Sequence, residues 1–113
     1  VAYSTAQKRG RDAKRRGDMK AISSALEQFY ADNSSSYPTA SGCSTVASTI
    51  GTDYLPGGAP TDPKGSGSYV YTCESTDSSY YVCANVESND GNNDGADPTL
   101  NDGTAYYCLT NLQ

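Results

Sequence analysis

The hydrophobic pattern changes character twice along the 113 residues. From about residue 3 to residue 33 there is no proline. In the second half of that span Met19, Ile22, Leu26, Phe29 and Tyr30 recur at three- and four-residue spacing. This spacing places side chains on one face of a helix, and Ala21 and Ala25 sit close to the same stripe. The first half carries no stripe; around Ala6 and Ala13 it is mostly charged. One long helix is therefore expected, with its second half packed on a body and its first half projecting or meeting another molecule. Gly10 and Gly17 each cost about 1 kcal/mol in a helix interior, so the first half is expected to draw support from outside the helix. The helix should stop near Asp32 and Asn33, before the Ser34-Ser35-Ser36 run.

Residues 34–67 lose all periodicity and contain Pro38, Pro56, Pro60 and Pro63. Only Val46 and Ile50, at i, i+4 spacing, suggest a short helical turn over Ser44 to Ile50. Alternation then replaces the helical period. "SYVYTCE" (Ser68–Glu74) and "SYYVCANVE" (Ser79–Glu87) are rich in Tyr and Val and are joined by the polar turn Ser75–Ser78, which predicts a β-hairpin. "TAYYCLT" (Thr104–Thr110) predicts a third strand. The expected fold class is α+β: a helix stem over 1–33, a loop over 34–67, and a three-stranded antiparallel sheet over 68–113, in one domain. Between the second and third strands lies "NDGNNDGADPTLNDG", Asn89 to Gly103. Asp, Asn and Gly fill 11 of its 15 positions, which suits neither a helix interior nor a strand.

Composition limits the chemistry. Apolar residues are 35% of the chain, against roughly 45–50% with Gly counted in typical domains, so the core is small. There is no His, which removes the usual general base near neutral pH and the commonest transition-metal ligand. Cys43, Cys73, Cys83 and Cys108 form no C-x-x-C pair. An even number in a short chain rich in Ser, Thr and Tyr predicts two disulfides and an oxidising compartment; the plainer alternative is four buried thiols. If sheet order follows the chain, Cys83 pairs with Cys108 and Cys43 with Cys73. The rival is a bridge within the hairpin, Cys73–Cys83, with Cys43–Cys108. No nucleophile elbow, Cys–His pair or phosphate loop is present, and a non-enzyme is expected. The chain opens on Val rather than Met, in mid-pattern, and is expected to have lost an N-terminal piece.

Two stretches resemble a known family. "RDAKRRGDMKAISSALEQFYADNSSSYPT" is similar to the helix of type IV pilins and of the pseudopilins of type II secretion. So is "YLPGGAPTDPKGSGSYVYT", with its Tyr-Leu-Pro, Asp-Pro and Tyr-x-Tyr elements. The resemblance covers residues 11–73, and the closest likeness is to small major pseudopilins and short pilins. It implies a pilin-like fold, a cleaved leader, and an upstream hydrophobic segment of about 20 residues that anchors the subunit in the inner membrane. It also implies assembly with other copies of the chain into a helical filament, at the cell surface or in the periplasm, with minor pilins and an inner-membrane assembly platform as partners. The four-Cys pattern is not a general feature of major pseudopilins.

Charge divides the chain. Residues 1–20 hold seven of the eight basic groups against Asp12 and Asp18, a net of +5; residues 21–113 hold Lys64 against eleven acids, a net of −10. Lys8, Arg9, Arg11, Lys14, Arg15 and Arg16 are candidate subunit contacts, the basic stem of one copy meeting the acidic heads of others in a contact that propagates without closing. A solvated helix face is the plainer reading. Dedicated nucleic-acid binding is not expected, because the chain is acidic overall and no aromatic alternates with the basic residues.

The acidic loop has a spacing of its own. Asp90-x-Asn92-x-Asp94-Gly95 is the opening of a calcium loop, in which alternate oxygens curl around a hard cation and Gly allows the turn. Ala96 would offer its carbonyl. The bidentate Glu expected at the twelfth position is replaced by Asn101, leaving Asp97 and Asp102 to close the shell. The resemblance adds that major pseudopilins hold calcium between their last two strands. A solvated loop of turn formers is the alternative. The strand tyrosines Tyr69, Tyr71, Tyr80, Tyr81, Tyr106 and Tyr107 either pack the sheet or form a stacking platform. Three functions follow: a structural subunit of a type IV pilus, a type II secretion pseudopilin forming a short piston for export, or a secreted calcium-stabilised binding module.

Overall fold

A computed structural model describes residues 2–88 and 105–113. Helix α1 spans Ala2–Asp32, about 46 Å at 1.5 Å per residue, and sets the longest dimension of a molecule measuring 50 × 28 × 21 Å. Met19, Ile22, Ala25 and Leu26 are buried, with Phe29 and Tyr30 packed at the margin; Ala21 is exposed. After Asp32 the chain turns through Ser34 and Ser35, both at φ 58°. The Ser35 N–H donates to the carbonyl of Tyr30 at 3.1 Å, and Asn33 Nδ2 donates to that of Phe29 at 2.9 Å, so last-turn carbonyls are satisfied without a glycine.

The sheet has four antiparallel strands, not three: β1 (Ala40–Ser41), β2 (Thr72–Ser75), β3 (Tyr80–Val86) and β4 (Ala105–Thr110), in spatial order β1-β2-β3-β4. The extra strand is two residues long and carries no alternation that a sequence could display. It forms because the chain is held there from both sides. The Tyr37 N–H donates to the Asp77 carbonyl at 3.0 Å, and the Gly42 N–H to that of Cys73 at 2.9 Å. Gly42, at φ 91°, then turns the chain into α2 (Cys43–Ile50), which buries Val46, Ala47 and Ile50.

Strand β2 is shorter than expected. Residues 69–71 leave the sheet, and Tyr69 and Tyr71 turn toward the stem: the Tyr71 hydroxyl donates to Asp18 at 2.6 Å, and the Tyr69 ring lies 4.9 Å from the Arg15 guanidinium. Tyr80 and Tyr106 are buried, and Tyr69, Tyr71, Tyr81 and Tyr107 are half-buried. All six strand tyrosines pack against the body of the structure. The exposed large apolar side chains, among the described residues, are Val70 and Leu112.

Register decides the disulfides. Cys73 lies opposite Val82, while Cys83 lies opposite Cys108. Neighbours along a strand point to opposite faces, so Cys73 and Cys83 leave the sheet on opposite sides. A bridge within the hairpin is therefore excluded, and the bonds are Cys43–Cys73 and Cys83–Cys108. The first ties α2 to the face covered by α1; the second, with Tyr106, forms a small buried cluster on the other face. They close sequence separations of 30 and 25 residues, worth about 3–4 kcal/mol each in the loop-closure account.

Candidate functional site

The buried stripe of α1 does not end at Met19. It continues toward the N-terminus at the same spacing through Arg15 and Asp12, both fully buried. An isolated charge there would be costly, and an ion pair must be well satisfied to offset its desolvation. The Arg15 guanidinium makes four hydrogen bonds. Nε and Nη2 donate to the two carboxylate oxygens of Asp62 at 2.8 and 3.0 Å. Nη1 donates to Asp12 Oδ1 and Glu87 Oε2, each at 2.8 Å. The Tyr69 ring covers the guanidinium on one side, an arrangement that suits its planar, weakly hydrated charge.

Each acid is held a second time. Asp12 accepts the N–H groups of Glu87 and Ser88 at 2.9 and 3.0 Å and the Ser88 hydroxyl at 2.8 Å. Asp62 Oδ1 accepts the N–H groups of Lys64 and Gly65 at 2.7 and 3.3 Å, closing a turn in which Gly65 sits at φ 65°. Glu87 receives a two-pronged grip from Arg11, at 2.6 and 2.8 Å, and Lys64 Nζ lies 3.6 Å away. Three cations, Arg11, Arg15 and Lys64, thus balance three carboxylates, Asp12, Asp62 and Glu87. No buried side-chain nitrogen or oxygen among the described residues is left without a partner. Beside the cluster, Lys14 pairs with Asp18 and donates to the Thr61 carbonyl.

The cluster holds its groups in their ordinary charge states. Hydrogen bonds from Arg11 and Arg15 outweigh burial and hold Glu87 down at about 2. Burial pulls Asp12 upward, but the Glu87 N–H, Ser88 and Arg15 outweigh it and keep it below the carboxylate range. Asp62 behaves alike, burial being outweighed by Arg15 and the turn N–H groups. Burial, then Asp18, pushes the Tyr71 phenol upward. A half-buried carboxylate anchors the far end of the helix. Glu27 accepts the hydroxyls of Tyr80 and Tyr37 and the N–H of Leu112, so the C-terminal residues are fastened to α1.

The six basic candidates separate. Arg15 is fully buried and engaged within the chain, and Arg11 is half-buried and paired with Glu87, so the acids complementary to these two lie on the same molecule. Arg16 is half-buried with its guanidinium 5.6 Å from the Tyr107 ring. Lys14 is exposed but shared with Asp18 and Thr61. Lys8 and Arg9 are exposed and join no ion pair among the described residues. The candidate calcium ligands Asp90, Asn92, Asp94, Ala96, Asp97 and Asp102 lie outside the described residues; Ser88, just before them, is fixed to Asp12. The roles of Asp12, Asp62 and Glu87 were missed in the sequence because apolar periodicity was followed, and it ends at Met19. The available signal was the spacing 12, 15, 19, 22, 26, read without regard to polarity.

The class defined by these elements is an α+β domain in which one long helix crosses a disulfide-braced antiparallel sheet and is locked to it by a buried ion cluster. No family model matches the chain, and neither the curated proteins nor the solved structures provide a match.

Removing one member of such a cluster strands the others. Arg15→Met should cost about 3–5 kcal/mol, read as a fall in the urea midpoint. Acid should act in the same direction. The folded values of Glu87, Asp12 and Asp62 lie below their unfolded ones, so their stabilisation is present above about pH 4.5 and is lost as pH falls toward about 2. Melting temperature should drop steeply below about pH 4. The gap between the parent and Arg15→Met should narrow over the same range, since protonated acids no longer need the cation.

Proposed function

We infer that the chain is the head domain of a filament subunit of the type IV pilin kind, assembled from copies that meet along their N-terminal helices. The observation that carries this reading is the form of α1. From Asp12 onward one face of the helix is buried against the body, whereas residues 4–10 are exposed throughout. The helix runs past the body as a stem. Such a stem is marginal by itself and gains from burial against neighbours.

The family-like elements support the same reading by what they do. Leu55 of Tyr-Leu-Pro is a core residue. Asp62 of Asp-Pro grips Arg15. Tyr69 and Tyr71 of Tyr-x-Tyr lie on Arg15 and Asp18. The residues that carry the resemblance are thus those that fasten the head to the stem. An inner-membrane anchor before assembly, and an extracellular or periplasmic location afterwards, belong to the proposal; the two disulfides fit an oxidising compartment. Minor pilins and an assembly platform are its implied partners. Calcium bound by the 89–103 segment is part of it too, through Asp90, Asn92, Asp94, Ala96, Asp97 and Asp102.

Filaments sheared from cells that produce the full-length protein should yield peptides of this chain as a principal component, by electron microscopy and mass spectrometry together. Cells that make and export the protein but carry no filament containing it would refute the reading. For calcium, an affinity of about 0.1–1 mM implies that about 5 mM calcium stabilises the domain by about 1–2 kcal/mol over a chelator control. Identical melting curves in the two conditions would remove calcium from the proposal while leaving the filament untouched.

A further inference from the structure

The fold sorts charge along its long axis. All eight Lys and Arg residues lie at positions 8–20 and 64. The one remote in sequence, Lys64, is folded back to the stem end, where its Nζ lies 3.6 Å from Glu87. The acids near that end, Asp12, Asp18, Asp62 and Glu87, are engaged by the cations beside them. On the exposed stem beyond them, Lys8 and Arg9 join no ion pair among the described residues, and Lys20 is the other exposed cation of which this holds, midway along the helix.

The opposite end is acidic and has no cation. Asp32 stands in the last turn of α1, which contains no basic residue. Tyr54 brings Asp53 to it: the Tyr54 ring packs on Phe29 at 5.5 Å and its hydroxyl donates to Asp32 at 3.0 Å. The Asp77 carbonyl accepts the N–H of Tyr37, just past the helix end. Asp32, Asp53 and Asp77 are all exposed, and none joins an ion pair among the described residues. The helix C-terminus adds its own negative partial charge. From Arg9 to Asp32 the helix spans about 35 Å.

We propose that Lys8 and Arg9 on the exposed stem of one copy dock against the acidic end formed by Asp32, Asp53 and Asp77 of a second copy. Charge complementarity selects a copy of the same chain as the occupant: among the described residues, each molecule carries exposed, unpaired cations toward one end of α1 and exposed, unpaired carboxylates at the other. The two surfaces are different, so the contact is heterologous and repeats in one direction instead of closing into a dimer. Gly10 fits this use of the stem. A Cβ there would meet nothing within 4 Å, so no contact within the chain requires the glycine. The proposal deepens the filament reading and rests on it for the abundance of neighbouring copies.

The test is zero-length carbodiimide cross-linking of an equal mixture of isotopically labelled and unlabelled protein at low ionic strength. Mixed-label links should join Lys8 to Asp32, Asp53 or Asp77, and should fall about tenfold in high salt, where such steering is screened. Lys8→Arg keeps the charge but removes the reactive amine, so it abolishes the link while leaving the domain folded. Arg9→Glu, and separately Asp32→Lys with Asp77→Lys, should each lower the yield of intermolecular links about tenfold. Mixing the two charge-reversed proteins should restore mixed-label links, because the unaltered stem of one then meets the unaltered acidic end of the other, joining Lys8 to Asp32, Asp53 or Asp77. Links confined to one molecule, links from Lys8 to other acids, or reversals without effect would overturn the docking arrangement. Those outcomes leave the filament reading standing, since that is decided by the composition of sheared filaments; filaments lacking this chain would remove that reading whatever the cross-links show.

Discussion

A single guanidinium holds this molecule in register. Arg15 is fully buried and touches three carboxylates that come from three parts of the chain: Asp12 on the same helix, Asp62 in the loop after α2, and Glu87 at the end of the central strand. Buried ions gain little net stability, because desolvation consumes most of their attraction. Their effect lies in the alternatives they exclude. If α1 rotated or slid by one residue, an arginine and three acids would be left in a small core without partners. The apolar stripe from Met19 to Leu26 sets that the helix packs on the sheet; the cluster sets where along the helix it does so.

The rest of the architecture follows from this anchor and the two disulfides. With Asp62 fixed, the loop after α2 is closed down on the stem, and Tyr69 and Tyr71 turn inward to cover the ion pairs, which shortens β2. With Glu87 and Ser88 fixed to Arg11, Arg15 and Asp12, the chain enters the 89–103 segment from a defined point. Cys43–Cys73 holds α2 and the two-residue β1 against the sheet, and Cys83–Cys108 holds β3 to β4 on the other face. A chain with only 35% apolar residues is thereby stabilised by its two disulfides where a larger domain would use its core, while the ion pairs fix its register.

The anchor also reassigns the basic stem. Charge division along the sequence reads as complementarity between molecules. Inside the fold, much of it is complementarity within one: the acidic head reaches back and engages Arg11 and Arg15. Outside that network lies the portion of stem beyond the body, the exposed residues 4–10 with Lys8 and Arg9.

The long helix, its packed stripe, the hairpin and the final strand were legible in the sequence because each is a local periodicity, and local periodicity is written in consecutive residues. The even cysteine count likewise foretold two bridges. Their pairing was not decided until register put Cys73 and Cys83 on opposite faces of β2 and β3, and register is a relation between strands. β1 was invisible because two residues carry no period. Asp12, Arg15, Asp62 and Glu87 were invisible as a group for a related reason: a charged residue announces a solvated surface until the fold supplies partners from 47 and 72 positions away. The sequence by itself determined which segments form helix and strand. Tertiary structure alone decided which charges face inward, because the burial of an ion depends on the counter-ions that long-range folding brings to it.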